Sequence, residues 1–137
     1  MSDDTGGTHD NLILGNTVED TPFDCGITLA SHPLFQGGPT AAGVFHNTIT
    51  GNNSQRNGFQ VPGVGAGVGL FSPAPFTKTY GNVVVNNDLT DNGLPGVAMH
   101  ALSPGALLSD NMPHFRQRGG YRRHRDSRSH RDQRVRR

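Results

Sequence analysis

Residues 44–51 read VFHNTITG, and two near copies stand elsewhere in the chain, ILGNTVED at 13–20 and VVNNDLTD at 84–91. In each, an asparagine (Asn16, Asn47, Asn87) has an apolar residue three places before it (Ile13, Val44, Val84) and another two places after it (Val18, Ile49, Leu89). A second phrase follows each copy: CGITLA from Cys25, AGVGLF from Ala66 and PGVAMH from Pro95. It runs Gly, branched residue, any residue, Leu or Met, and places Ile27, Val68 and Val97 in equivalent positions. The unit therefore reads as strand, asparagine turn, strand, loop and a third short strand, which is one coil of a β-solenoid. A repeat at a period of roughly 20–50 residues marks a chain that stacks on itself.

The strands are brief because alternate side chains of only two to four residues can point inward. Stacking Ile13 on Val44 and Val84, and Val18 on Ile49 and Leu89, would build two aliphatic columns, with Ile27, Val68 and Val97 as a third. Each buried side chain contributes roughly 1.5–3 kcal/mol, and only a neighbouring coil achieves the burial. The corner asparagines suit a left-handed backbone and can pass amide hydrogen bonds from coil to coil. On this alignment the coils differ in length, Asn16 to Asn47 spanning 31 positions and Asn47 to Asn87 spanning 40. The difference falls in the Gly- and Pro-rich loops SHPLFQGGPTAAG and SQRNGFQVPGVGAG, which would leave the stack and form a surface on one side. A β-sandwich of short strands fits the composition but not the doubled phrase in fixed order.

The paired Asn-turn and Gly-strand phrases, over about residues 9–111, resemble the right-handed parallel β-helix repeat proteins of bacteria, the pectate-lyase-like superfamily. The continuous text is similar to exported bacterial β-helix proteins of unassigned activity. The resemblance implies an all-β, right-handed parallel β-helix of about three coils over 11–112, preceded by a flexible segment, 1–10. It also implies an extracytoplasmic or secreted protein, although no export signal is read in this chain: its start, MSDDTGGTHDN, is polar and acidic. Members of that group are longer, so the chain reads as a fragment. No apolar run approaches the roughly 20 residues that cross a bilayer.

The composition agrees with a thin, repetitive core: 32% of the 137 residues are hydrophobic and there is no Trp. The single cysteine, Cys25, excludes an internal disulfide and a cysteine-based zinc cage. It opens an apolar strand and reads as a small packed residue. The formal net charge of +1 averages two unlike pieces. Residues 1–112 hold Arg56 and Lys78 against nine acids (2 − 9 = −7), whereas 113–137 hold ten arginines against Asp126 and Asp132 (10 − 2 = +8).

That Arg-rich segment admits two readings. Ten arginines with Phe115, Tyr121 and three histidines would attract phosphate and could stack on bases. Alternatively, arginine codons of the form CGX read one base later encode Val, Ala, Asp or Gly, and permitted codons for 113–136 then yield HISGNGGDTADTATPGPTGINVFG. Both phrases of the repeat reappear in that text in order, so the favoured expectation is a frameshifted, disordered tail whose stickiness to polyanions is incidental.

Candidate chemistry is sparse. Lyases of this fold use carboxylates to hold calcium and a Lys or Arg as base, and hydrolases use facing carboxylates. The weak candidates are Asp20, Asp24, Asp91 and Lys78, beside Glu19 and Asp88. The alignment makes Asp20, Gly51 and Asp91 equivalent, with the two carboxylates about 10 Å apart, wide for a catalytic pair. Solvated turn residues are the favoured reading. His9, His32, His46 and His100 fall in different phases of the repeat and make no metal-ligand pair, so no metal is expected, calcium entering only under the lyase alternative. Lys78 and Tyr80 in FTKTYGN could bind a sugar or uronate at a loop rim. The run GVGAGVG is followed by no helix and is not a dinucleotide site. The resulting expectation is a non-enzymatic scaffold or glycan-interacting module, with loops 31–43, 54–66 and 72–81 as its contact surface and a polysaccharide or cell-surface glycan as partner. The alternatives are a partial or degenerate polysaccharide lyase or glycoside hydrolase, and a nucleic-acid binder acting through the Arg-rich segment.

Overall fold

In the computed structural model residues 1–4, 6–32, 43–61 and 63–114 are described. Most of the loop at 31–43, and all but the first two residues of the Arg-rich segment, lie outside the described residues. Among the described residues there are thirteen short strands and no helix. A first pass of the chain contains β1 (Thr8–His9), β2 (Leu12–Leu14), β3 (Thr17–Glu19) and β4 (Ile27–Ala30). A second contains β5 (Val44–Phe45), β6 (Thr48–Thr50), β7 (Asn53–Gln55) and β8 (Val68–Ser72). A third contains β9 (Lys78–Tyr80), β10 (Val83–Val85) and β11 (Val97–Ala101), and the last β12 (Leu107–Ser109) and β13 (Met112–His114). The protein is all-β.

Every strand pairing is parallel. Each sheet takes its neighbouring strands from successive passes, in the orders β1-β5-β9-β12, β2-β6-β10-β13, β4-β8-β11 and β3-β7. An isolated bridge from Asn53 to Asp88 carries the last of these toward the third pass. A parallel pair needs a long connection, and here the rest of the pass supplies it.

The register corrects the sequence alignment of the middle copy. Ile13 lies level with Ile49 and Val84, whereas Val44 lies level with Thr8 and Thr79. Val18 pairs not with Ile49 but with Ser54, in the column that continues toward Leu89. The third column is as read, Ile27 beside Val68 beside Val97. All nine residues still meet in one core: Ile27, Val44, Ile49, Val68 and Val84 are buried with Leu29 and Leu70, and Ile13, Val18, Leu89 and Val97 pack against them. The error is a slip of five residues. In the second pass asparagines recur every five positions, at 47, 52 and 57, and the sequence alignment matched the first of them to Asn16 and Asn87. Their structural equivalent is Asn52, bonded to Asn16 across 36 positions and to Asn87 across 35. With the slip removed the first two intervals become 36 and 35 positions, and the next, from Asn82 to Asn111, is 29.

Three side-chain ladders run across the strands at the corners. In the first, Asn11 Nδ2 donates to Asn47 Oδ1, Asn47 Nδ2 to Asn82 Oδ1 and Asn82 Nδ2 to Asn111 Oδ1, each at 2.9 Å. The second joins Asn16, Asn52 and Asn87, and the third Thr21, Asn57 and Asn92. In every asparagine-to-asparagine step the backbone amide also donates to that Oδ1, so one carbonyl satisfies two donors of the neighbouring pass, whereas Thr21 donates to Asn57 Oδ1 through its backbone amide alone. The left-handed residue is not the asparagine, as the sequence suggested, but the one before it. Asp10, Asp20, His46, Arg56, Asn86, Asp91 and Asp110 have φ between 52° and 59°, and Gly15, Gly51 and Gly81 fill the same place. That turn aims the following asparagine inward, and Asn47, Asn52, Asn57 and Asn82 are buried.

The glycine of the second phrase has a packing reason. A Cβ on Gly26 would lie 2.0 Å from Ser54 Oγ, and one on Gly67 would lie 2.8 Å from Leu89 Cδ2. Only glycine lets the strand that follows approach the inward side of β3, β7 and Leu89. Ser54 is itself fully buried and satisfied, donating to the Gly67 carbonyl at 2.8 Å. The segment 1–10, expected to be flexible, holds β1 and a parallel bridge from Ser2 to Ala30. Asp3 is buried there, accepting from Ser31 Oγ and the His32 amide at 2.7 and 2.6 Å. At the other end β13 continues the pairing past the expected boundary at 112 to His114.

Candidate functional site

The outward side chains of β1, β5 and β9 form one row. His9 stacks on Phe45 with ring centres 4.7 Å apart and planes 16° from parallel, and Phe45 stacks on Tyr80 at 4.9 Å and 6°. The separations equal the spacing of parallel strands, so the stacking follows from placing an aromatic at the same register in three passes. Ser109 takes the next position beside Tyr80. His46, held left-handed at the corner, turns its ring edge-on to Phe45 at 5.1 Å and to Tyr80 at 6.0 Å. Gly81 makes room for it, since a Cβ there would lie 2.7 Å from His46 Cδ2. Asp10 holds one end of the row through its contact with His9 Nδ1 at 2.7 Å.

Lys78, an exposed member of β9, stands two residues before Tyr80 on the same outward side. Beneath it lies Gly43, whose added Cβ would come within 3.1 Å of Lys78 Cβ and 3.3 Å of Tyr80 Cε1. Of the loops expected as contact surface, 72–81 contains β9 and adjoins this row, whereas of 31–43 only Ser31, His32 and Gly43 are among the described residues. The row combines a cation, a phenol, two imidazoles and a carboxylate over an aromatic base, groups that hydrogen-bond polar ligands and contact their apolar faces.

The acidic candidates are placed differently. Asp20 accepts from Arg56 Nε and Nη2 at 2.8 and 3.1 Å, and Arg56 Nη2 also reaches Glu19 Oε2 at 2.9 Å. The Arg56 hydrogen bonds hold the Asp20 carboxyl below its ordinary range, and the two carboxylates raise the guanidinium further. By the ladder register Arg56, not Gly51, stands between Asp20 and Asp91, because it precedes Asn57 as they precede Thr21 and Asn92. A cation therefore occupies the gap that the alignment left empty. Asp24 is a local cap, its Oδ1 accepting from the Cys25 amide at 2.7 Å. Asp91 and Asp88 are exposed on the outer side of the third pass.

Cys25 is buried in a small cluster with Ala66 and Ala98, against Phe71 and Leu94. Burial pushes its thiol up, and its Sγ accepts from the Ala66 amide at 3.2 Å. Phe71 stacks on His100 at 5.4 Å on the outward side of β8 and β11. His32 meets Asp4 at 2.6 Å, and the residue before it, Ser31, accepts from the Lys78 amide at 3.0 Å, which sets this pair beside the start of β9. Among the described residues no three of His, Cys, Asp or Glu converge as a metal site, and no helix is long and apolar enough to cross a membrane.

Neither a protein-family model, a curated protein nor a solved structure matches the chain. The functional argument accordingly rests on the geometry.

Sequence reading singled out Tyr80 and Lys78 but missed His9, Phe45 and their stacking. The signal was present as an interval: 9 to 45 is 36 positions and 45 to 80 is 35, the same period as the asparagine ladder. The five-residue slip concealed it.

Proposed function

We propose that the protein is part of a right-handed parallel β-helix that serves as a non-enzymatic scaffold or glycan-interacting module of an exported bacterial protein. Support for the architecture comes from sheets that take one strand per pass, all parallel, and from asparagine ladders that repeat with the passes. The observation that carries the function is the outward row of His9, Phe45 and Tyr80 with Lys78 beside it. Stacked rings of this kind give a rigid ledge of ring edges flanked by polar groups, and a polysaccharide offers such a ledge hydroxyls for hydrogen bonds and C–H groups for contact along the edges. The ionic and capping roles of Asp20 and Asp24 favour this reading over a partial lyase or hydrolase, because carboxylates committed to Arg56 and to the Cys25 amide are poor acids and calcium ligands.

The test is titration of the full chain with oligosaccharides of neutral glucan, polyuronate and sulfated type, followed by Tyr80→Ala and Phe45→Ala. Binding that weakens in both variants supports the proposal. Release of reducing ends or unsaturated products from any of these substrates would replace it with the enzymatic alternative.

A further inference from the structure

The turn leading from β8 into β9 has an in-register copy one pass later, and the two differ at the residue that matters most. In Ala74–Thr77 the Thr77 amide donates to the Ala74 carbonyl at 3.2 Å, with Pro75 and Phe76 between. In Ser103–Ala106 the Ala106 amide donates to the Ser103 carbonyl at 3.1 Å, with Pro104 and Gly105 between. The Phe76 amide donates to the Gly105 carbonyl at 3.1 Å, so the turns lie one on the other. Proline second and positive φ third make both type II turns, whose third position favours glycine or asparagine. Gly105 obeys, at φ 81°, whereas Phe76 adopts φ 69° with a bulky side chain.

Burial does not compensate for that choice. Phe76 is 77% exposed, the highest value among the exposed large hydrophobic residues described. An aromatic held in a disfavoured conformation with its ring in solvent is explained by a contact made outside the chain. Lys78 follows two residues later and opens β9; among the described residues no carboxylate lies within ion-pair distance of it, while Arg56 is doubly engaged. The stacked row cannot offer free ring faces where its members cover one another, Phe45 being covered on both sides. Phe76 is the ring nearest in sequence to that row that remains open.

We infer that the Phe76–Lys78 corner is a subsite for a sugar ring bearing an anionic substituent, the pyranose C–H face lying on Phe76 and the carboxylate or sulfate meeting the Lys78 ammonium. The inference rests on the glycan reading above and assigns it a specificity-determining pair. Thr77 between them is buried and fixed, its Oγ1 donating to the Ala74 carbonyl at 2.6 Å, so ring and ammonium leave a rigid turn.

The full chain and its Phe76→Gly and Lys78→Gln variants are titrated calorimetrically with neutral glucan, polyuronate and sulfated oligosaccharides at one salt concentration. All three proteins carry the same Arg-rich segment, so differences between them report the corner alone. The expected result for Phe76→Gly is a thermal midpoint equal to or above that of the unmodified protein, with anionic glycans bound about tenfold more weakly. Lys78→Gln should weaken anionic ligands and leave neutral ones unchanged; polyuronate and sulfated ligands separate the two sources of charge. A lowered midpoint in Phe76→Gly would show the ring to be structural and overturn the inference. Undiminished binding in Phe76→Gly with loss in Tyr80→Ala would overturn it while sparing the glycan reading, and no binding by the unmodified protein would overturn both.

Discussion

Phe45 and Tyr80 lie 4.9 Å apart and 6° from parallel, on strands that belong to successive passes of the chain. An aromatic pair of this geometry contributes about 0.5–1.5 kcal/mol beyond its buried area. Phe45→Ala therefore removes two stacking partners at once, and the expected loss is about 1–3 kcal/mol. Tyr80→Ala, with a single stacked neighbour, should cost about half of that. Urea unfolding of both variants checks the ratio; equal losses would mean that the rings act separately.

Position within the ladder should grade the asparagines. Asn52 is 2% exposed, and its side chain accepts from the Asn16 amide and donates to the Ile13 and Thr50 carbonyls and to Asn87 Oδ1. Asn52→Ala leaves several buried groups without partners and should cost about 2–4 kcal/mol, since each orphaned group costs about 1–3 kcal/mol. Asn16 is exposed at the first pass, and Asn16→Ala should cost less than about 1 kcal/mol. Unfolding midpoints of the pair decide the point.

Arg56 imposes a pH dependence whose sign is fixed. Its hydrogen bonds lower the Asp20 pKa below the ordinary 3.8, so the pairing contributes at pH above that value and is lost as pH falls through the lowered one. Both side chains are exposed, so the contribution is small and salt-sensitive. The difference in stability between Arg56→Gln and the unmodified protein should be present at pH 7, shrink in high salt and vanish as Asp20 is protonated. Denaturant midpoints between pH 7 and pH 2 at two salt concentrations provide the check.

Cys25 should be chemically quiet in the folded protein. Its side chain is 6% exposed and its thiol is pushed up by burial, which withholds the reactive thiolate. Modification by a disulfide reagent at pH 8 is expected to be at least about a hundredfold slower in buffer than in denaturant. Equal rates would show that the cluster with Ala66 and Ala98 opens readily.

The all-β character and the third column were legible because Ile27, Val68 and Val97 each follow a glycine, required by packing at Gly26 and Gly67, a feature with no competing match nearby. The register of the first two columns was not, because turns of five residues recur within each pass and a slip by one turn again sets an apolar residue two places after an asparagine. What distinguishes the correct register is Ser54, a small polar residue in an inward position whose hydroxyl donates to the Gly67 carbonyl and accepts from Asn57 Nδ2, both of the same pass. No periodicity argument would have placed a serine in a hydrophobic column. The slip also carried the site reading with it: Gly51 took the place of Arg56, and the aromatic row dissolved into unrelated phases. Left-handed corners were anticipated one residue late, since conformational preference alone favours asparagine there, whereas the ladder needs its side chain turned inward.

The amide ladders all point one way. From Asn47 to Asn82 and Asn111 every Oδ1 accepts from the earlier pass, while each Nδ2 also donates back to a carbonyl of that pass, at Thr8, Val44 and Thr79. Side-chain dipoles so aligned add as backbone dipoles do in an α-helix, although no helix is described. The side-chain carbonyls thus share one direction perpendicular to the strands, so each added pass meets a row of acceptors already oriented toward its neighbour.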